Sequence, residues 1–493
     1  MNFLFFFFNS VRHACLAVIA PFKTSSKKEN FIFLLLLSVV IAKELYYIIT
    51  TDLQYDEMWC YNYYTSRPFY LNFFSFSTYP LFELLTHAFK WLPFSAKINL
   101  RLPVLFAGIF SCIIIYAGVK KLSNNFLVAM ACFALFASLP GNSFYMLYAK
   151  GVMLELFFAI ISFFCIVFFL KKDFARRYLL VFVIVNVAGF YAMLTHVYFW
   201  ALQLIVGSMY ISFYRRYLLK PFLISNGFIL FFSFFFYMPV LIGSGFSFIL
   251  NVAFGQTNNK DPWTGIVPFM KYINLFFTGN SYGFVIALLS AGSVLMIFRK
   301  TRKENIFLFA CGVALFILPL IVRIIQRIYI AERAIPFIGL IVPLCGFLIY
   351  SIIKDHVKKY LVSLSIVFLF TLMCVVTHFH YFRSWNVRSD KNAITISELL
   401  MQHHVNNCYD NAPDSRFFYY YPALEYYYHQ KGLSIDLRMA AQNSLRYKSF
   451  SPADDYDCII ENISESDSNH LGEYEDIYHD TDEGFKILLR KGK

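Results

Sequence analysis

Long apolar runs separated by short polar segments dominate the chain up to about residue 383. A helix needs roughly 20 apolar residues to cross a bilayer, and periodicity with run length marks eleven candidate spans. They are 31–50, 102–119, 126–141, 151–170, 178–194, 197–213, 221–242, 281–298, 306–325, 334–353 and 360–379. Almost no loop separates 178–194 from 197–213, so His196 falls in a tight hairpin. Two further segments, "PLFELLTHAFKWLP" (80–93) and "DPWTGIVPFMKYINLFF" (261–277), read as helices lying on the membrane surface. In the first, Glu83, His87 and Lys90 form a polar stripe; in the second the polar member is Lys271. After residue 383 the pattern changes to short strands and a helix: "SRFFYYY" and "DYDCIIEN" as buried strands, "PALEYYYHQKG" as a helix, "GFKILLRK" as a last strand. The expected architecture is an all-α polytopic membrane domain of about 11 transmembrane helices over residues 1–383, with external loops 51–101 and 243–280. A small C-terminal α/β domain over 384–493 completes it.

Composition agrees: 59% of the 493 residues are hydrophobic and only 15% charged, a balance foreign to soluble domains. The net charge of +13 suggests nucleic acid until its distribution is read. Residues 384–493 hold 11 basic and 18 acidic side chains, so the remainder carries +20. That excess sits in "KTSSKK", "KK" (120–121), "KKDFARR", "YRRYLLK", "RKTRK" and "KDHVKK", all on one side of the alternating spans. The positive-inside rule makes this side cytoplasmic. The N-terminus is then inside and the C-terminal domain outside, as in a multi-pass protein of a cell membrane, by default a bacterial inner membrane. No nucleic-acid partner is expected. The first thirty residues lack a basic stretch ahead of their apolar run, which argues for an interfacial helix and against a cleaved signal peptide.

Ten cysteines show no metal-binding spacing, and most lie inside apolar runs. Cys408 and Cys458, in the polar tail, can pair if the tail is exported.

Topology puts "QYDEMWCYNYY" (54–64) on the external side, together with Asp52, Glu83, Asp261 and Glu332. Asp56 and Glu57 are the candidate catalytic acids. Adjacent helical residues point about 100° apart, so one carboxylate acts as base while the other orients it, holds a divalent metal or caps a helix. The plain alternative is an acidic pair at a helix start. Lys150 stands where an external loop meets the span at 151–170, either snorkelling to the interface or set to bind an anionic headgroup. Glu155, just inside that span, is expected to face the bundle interior. Arg323, Arg327, Glu332 and Arg333 cluster externally, against the topology rule, and arginine suits phosphate oxygens. An Arg–Glu332 pair of structural value only is the alternative. Arg101 opens the second span as a phosphate ligand or a helix-end anchor. Tyr148, His196 and Glu332 are candidate substrate contacts, although a lone hairpin histidine is more often structural.

Together these features fit transfer of a sugar from a lipid-linked phosphate at the bilayer surface. The chain also resembles a known family. "DE" in the first loop, "YPLFELL", "NLRLPVLFAGI", "YAKGVMLELFF" and "ERAIPFIGLIVP" resemble the GT-C integral membrane glycosyltransferases, in the group that includes dolichyl-phosphate-mannose–protein mannosyltransferases and aminoarabinose transferases. The resemblance implies a polyprenyl-phosphate sugar donor and a glycan, lipid or protein acceptor. It implies that Asp56, with Glu57 beside it, is the base or acceptor-binding acid. It puts Lys150 and Arg333 at the donor phosphate, to which the sequence reading adds Arg327 and Arg101 as candidates. This chain has "TYPL" where the family has His-Pro-Pro-Leu or Lys-Pro-Pro-Leu, so Tyr79 occupies the charged position. Lys150 stands for the more frequent arginine, and a metal remains open.

A transporter, flippase or polymerase of lipid-linked glycans would also use many spans and external arginines. Such proteins carry broken helices or repeated halves, and the sequence pattern shows neither. A non-catalytic assembly protein is a third class.

Overall fold

Helix α1 (Lys27–Thr50) and helix α4 (Ala96–Ser123) run antiparallel and are fastened at both ends. At one end Lys120, in the last turn of α4, meets Glu29, in the first turn of α1, at 3.4 Å. At the other, Lys97 Nζ and Arg101 Nη1 donate to the carbonyls of Ile49 and Ile48, at 2.9 and 3.3 Å. Those carbonyls lie in the last turn of α1, where a helix has no acceptors' partners of its own and its dipole favours cations. The computed structural model describes residues 20–51, 53–73, 79–171, 176–245, 390–410, 420–439, 456–462, 474–480 and 485–492. Residues 1–19 of the expected N-terminal helix, residues 415–419 of the expected strand "SRFFYYY", the segment 261–277 and the spans expected at 281–298, 306–325, 334–353 and 360–379 lie outside the described residues.

Two compact units divide the chain: residues 1–50 with 68–383, and residues 51–67 with 384–493. In the first, α4 and α7 (Val152–Lys171) are mostly buried, whereas α1, α9 (His196–Tyr214) and α10 (Leu219–Ser244) leave most of their apolar side chains uncovered. An apolar helix uncovered on one side needs lipid there. Among the described residues five helices are long and apolar enough to cross a membrane, and a bent pair can count as a sixth. This is a multi-pass membrane protein. Helix α8 (Arg176–Ala192) is shorter, and three residues separate it from α9, as the hairpin reading expects.

Two expectations need correction here. The span expected at 126–141 is two helices, α5 (Phe126–Ser138) and α6 (Pro140–Leu147), bent by 63°. Pro140 starts the second helix, where its missing N–H costs nothing. Asn142 then donates to the Phe136 carbonyl at 2.9 Å, satisfying an acceptor left by the break. The second correction concerns α3 (Pro80–Phe89), of whose polar stripe only Lys90 faces outward. Glu83 and His87 are buried, while Trp91 and Phe94, just beyond, are exposed. This helix packs on α4 and α8 with Glu83 and His87 inside, while Lys90, the third member of the stripe, is exposed.

In the second unit, the sheet order is β2-β1-β3-β5-β4. Strands β1 (Asn407–Asp410), β2 (Asp436–Met439) and β3 (Cys458–Asn462) are parallel; β5 (Phe485–Arg490) pairs antiparallel with β3 and with β4 (Tyr474–Asp480). Tyr409, Tyr456, Ile459, Tyr474 and Leu488 form a core cluster. Helices α11 (Asp390–Gln402) and α12 (Tyr421–Gln430) pack together. Cys408 and Cys458, register partners on β1 and β3, form a disulfide. The first-loop segment 51–67 belongs to this unit and not with the rest of loop 51–101.

Candidate active site

Lys150 sits in a turn that the backbone fixes tightly. Helix α6 ends at Leu147, Tyr148 N–H bonds back to Phe144 O at 2.8 Å, and Lys150 N–H reaches Tyr148 O at 2.7 Å. The ammonium lies 4.8 Å from the Tyr148 ring centroid and 5.9 Å from that of Tyr79, within cation–π range of both. Tyr79 reaches this place because residue 151 is glycine: a Cβ there would come within 2.8 Å of the Tyr79 ring and 2.4 Å of the Ala192 carbonyl. Lys150, expected at the donor phosphate, and Tyr148, expected to contact substrate, are thus together, and Tyr79, at the position where the family carries a charge, joins them. Lys150 is half-buried.

Other candidates in this unit are buried among structural partners. Arg101 is buried and seated on α1's terminal carbonyls, as described above. His196 is fully buried, with Nε2 3.0 Å from Asn186 Oδ1. Asn186 donates to Ser162 Oγ at 2.8 Å, and Ser162 to Gln203 Oε1 at 2.7 Å, so the chain of bonds ties α7, α8 and α9. The expectation of a substrate-binding His196 therefore meets a ring packed inside the bundle. Glu155 does face inward and accepts from Thr195 Oγ1 at 3.1 Å. Sequence reading missed Glu44: fully buried in α1, it pairs with Lys43 at 2.9 Å and accepts from Ser143 on α6. An acid within a span was the available signal.

Asp56 and Glu57 belong to the second unit, in helix α2 (Tyr55–Cys60). Glu57 is the third helical residue and closes a capping box, accepting the Gln54 N–H at 2.7 Å. Fully buried, it serves the cap. Asp56 points elsewhere by the helical angle and is half-buried. A π-helical turn, Tyr61–Thr65, follows α2 and packs on α12. Asn62 Nδ2 donates to Pro422 O at 2.8 Å and to Glu425 Oε2 at 3.4 Å, and Tyr63 OH donates to Glu425 Oε1 at 3.2 Å.

Burial pushes the Glu425 carboxyl above its ordinary range, against the hydrogen bonds from Tyr63 and Asn62 and the Arg67 charge. A carboxyl raised on folding stabilises fully below the ordinary glutamate range, and that contribution is lost as pH rises through the raised value. Glu425→Gln, which mimics the neutral form, should therefore gain stability relative to wild type as pH rises through this window. Thermal unfolding of both proteins across pH checks it, and parallel curves would refute it.

Arg323, Arg327, Glu332 and Arg333 lie outside the described residues. Among the described residues no group of three or more His, Cys, Asp or Glu side chains is placed to hold a metal ion.

The sequence matches no family model and no curated protein. Comparison of structures does find proteins of similar fold. The crystal structure of ArnT from Cupriavidus metallidurans bound to undecaprenyl phosphate matches 95% of this chain and 99% of its own, with a TM-score of 0.65 at 10% identity. The chain has the ArnT fold. ArnT in the apo state matches 93% of this chain and 97% of its own, with a TM-score of 0.59 at 11% identity. The match to ArnT extends over nearly the whole length and so takes in parts of both compact units. The GT-C resemblance drawn from sequence motifs agrees with ArnT at the level of fold.

Proposed function

We propose that this protein is a membrane glycosyltransferase that moves a sugar from a polyprenyl-phosphate donor to an acceptor hydroxyl on the extracytoplasmic face. The observation that carries the reading is the whole-length likeness to an ArnT whose crystal structure holds undecaprenyl phosphate. Lys150, set against Tyr148 and Tyr79, supplies the cation such a donor requires. In the reaction the acceptor oxygen attacks the anomeric carbon and the bond from that carbon to the phosphate oxygen breaks. Asp56 takes the acceptor's proton; an ordinary aspartate is ionised at neutral pH and ready for this role. The donor phosphodiester carries one negative charge and the departing monoester two, so a fixed cation is attracted more strongly as the bond breaks. Arg327 and Arg333 are proposed to share this work. Support for the external face comes from the charges: Glu29, Lys120, Lys121 and Arg177 gather at one end of the bundle, with Lys121 packed on Phe168 and Tyr178.

Lys150→Ala should weaken binding of undecaprenyl phosphate by roughly ten- to a hundredfold, the loss of one charge-assisted contact of about 1.5–3 kcal/mol. Titration of the purified variant tests this, and unchanged affinity would return Lys150 to interfacial anchoring. Among the described residues the α5–α6 break is the feature that favours a transporter, since transporters use broken helices. Movement of a lipid-linked sugar across vesicles without transfer would establish that alternative.

A further inference from the structure

We propose that Glu425 is a positioning residue: from the C-terminal domain it holds the first-loop helix that carries Asp56. The inference rests on the reading of Asp56 as the base and adds to it the group that sets the base in place. Helix α2 has six residues and cannot hold itself, because so short a helix gains too little to offset its nucleation. It is secured at both ends. At its start Glu57 closes the capping box. Beyond its end the π-helical turn, closed by Ser66 N–H to Tyr61 O at 2.8 Å, presents Asn62 and Tyr63 together to α12. Both donate to the one carboxylate, at 3.4 and 3.2 Å.

The neighbours reinforce the same register. Tyr61 meets the Tyr426 ring edge-on at 5.2 Å, and Gln430 Nε2 donates to Tyr61 OH at 3.4 Å. Arg67 lies over the Tyr63 ring at 5.1 Å, and Trp59 packs against the same ring at 4.4 Å. An apolar residue at 425 would pack here without the cost of burying a carboxylate. What the carboxylate adds is direction: two donors one residue apart fit a single acceptor pair in only one register. Buried polar groups are retained for such specificity in the best-attested cases. Asp56 lies one helical turn before Cys60, the residue that leads into the π-helical turn at Tyr61, so a slip in that turn rotates Asp56.

Three variants test the proposal: Glu425→Ala, Glu425→Gln and Tyr63→Phe, each as the full chain in membranes. Sugar transfer is followed with host membrane lipids as donor, hydrogen exchange at residues 55–65 by mass spectrometry, and binding with undecaprenyl phosphate as probe. Glu425→Ala should raise exchange over 55–65 and lower kcat, each roughly ten- to a hundredfold, while undecaprenyl phosphate binds as before. Glu425→Gln keeps an acceptor for Tyr63 and should restore most of both. Tyr63→Phe should act in the same direction, and adding it to Glu425→Ala should cost nothing more. If Glu425→Ala does not accumulate, Tyr63→Phe carries the test alone through exchange and kcat. Unchanged exchange over 55–65 in the folded variants overturns the proposal. So does wild-type kcat in Glu425→Ala beside an inactive Asp56→Asn. An active Asp56→Asn instead removes the reading of Asp56 as base, while the exchange data still decide whether Glu425 holds the helix.

Discussion

Asp56→Asn should lower the rate of sugar transfer by roughly 10²- to 10⁴-fold, the usual cost of losing a general base. Asparagine keeps the shape and most hydrogen bonds of aspartate but cannot accept the acceptor's proton. Fold and lipid binding should survive. At the second position of α2 the substitution removes a favourable dipole interaction of only about 0.3–1 kcal/mol. The neighbouring acid makes a sharp control. Glu57→Gln should be nearly silent, because glutamine serves equally in a capping box. Glu57→Ala should cost about 1 kcal/mol of stability, as loss of a cap does. Rates for the three proteins, measured on the same acceptor, separate chemistry from scaffold. A folded Asp56→Asn protein working at the wild-type rate would leave the acidic pair as a helix start and the mechanism without its base.

Cys408→Ser should destabilise the C-terminal domain by about 4 kcal/mol, the entropy of a loop of some fifty residues released in the unfolded chain. That is a large share of the 5–15 kcal/mol by which a domain is held. The unfolding midpoint of this unit should fall by on the order of 15–30 °C. Cys112→Ser, at a free buried thiol in α4, serves as the control and should leave that midpoint alone. Both sulfurs are buried between β1 and β3, so reductant should act only after the sheet opens. An unshifted midpoint after full reduction would mean that strand pairing alone holds β1 to β3. Disulfides persist in oxidising compartments, so a bridge recovered intact from cells also bears on the proposed external face.

How much was readable in advance depended on the range of the forces involved. Helices such as α1, α4 and α7 follow from apolar run length, which is local. The break at Pro140 was written in "SLPGNS", a turn signal that averaging over an apolar window hides. Strands β3 and β5 carry apolar runs and were visible. Strands β1 and β2 have four residues each, among them Asp410 and Asp436, and exist because their neighbours pair with them. In β4, "YEDIYHD", acids on a sheet edge conceal the strand while protecting it. At the site, Lys150 and Tyr148 could be proposed from position, yet Tyr79 read as a departure until Gly151 brought its ring to the ammonium. A helix cap was among the roles open to the acidic pair, but which acid caps was not legible, because glutamine, at Gln54, is an unusual residue to start a capping box. The pairing of "YNYY" with α12 had no local sign beyond two tyrosine-rich stretches far apart in the chain.

That distance has a consequence for synthesis. The contacts that seat α2 span 360 to 363 residues of sequence. At roughly 5–20 residues per second, a ribosome needs about 20–70 s after making Tyr63 before Glu425 exists. During that interval the first-loop aromatics have been made but their partner helix has not. Contacts so distant in sequence also form late in folding, since the intervening chain must be ordered first. A nascent protein would therefore place its helices in the membrane well before it could hold Asp56 still. On the proposed mechanism, any product stopped short of α12 would be inserted but unable to transfer sugar.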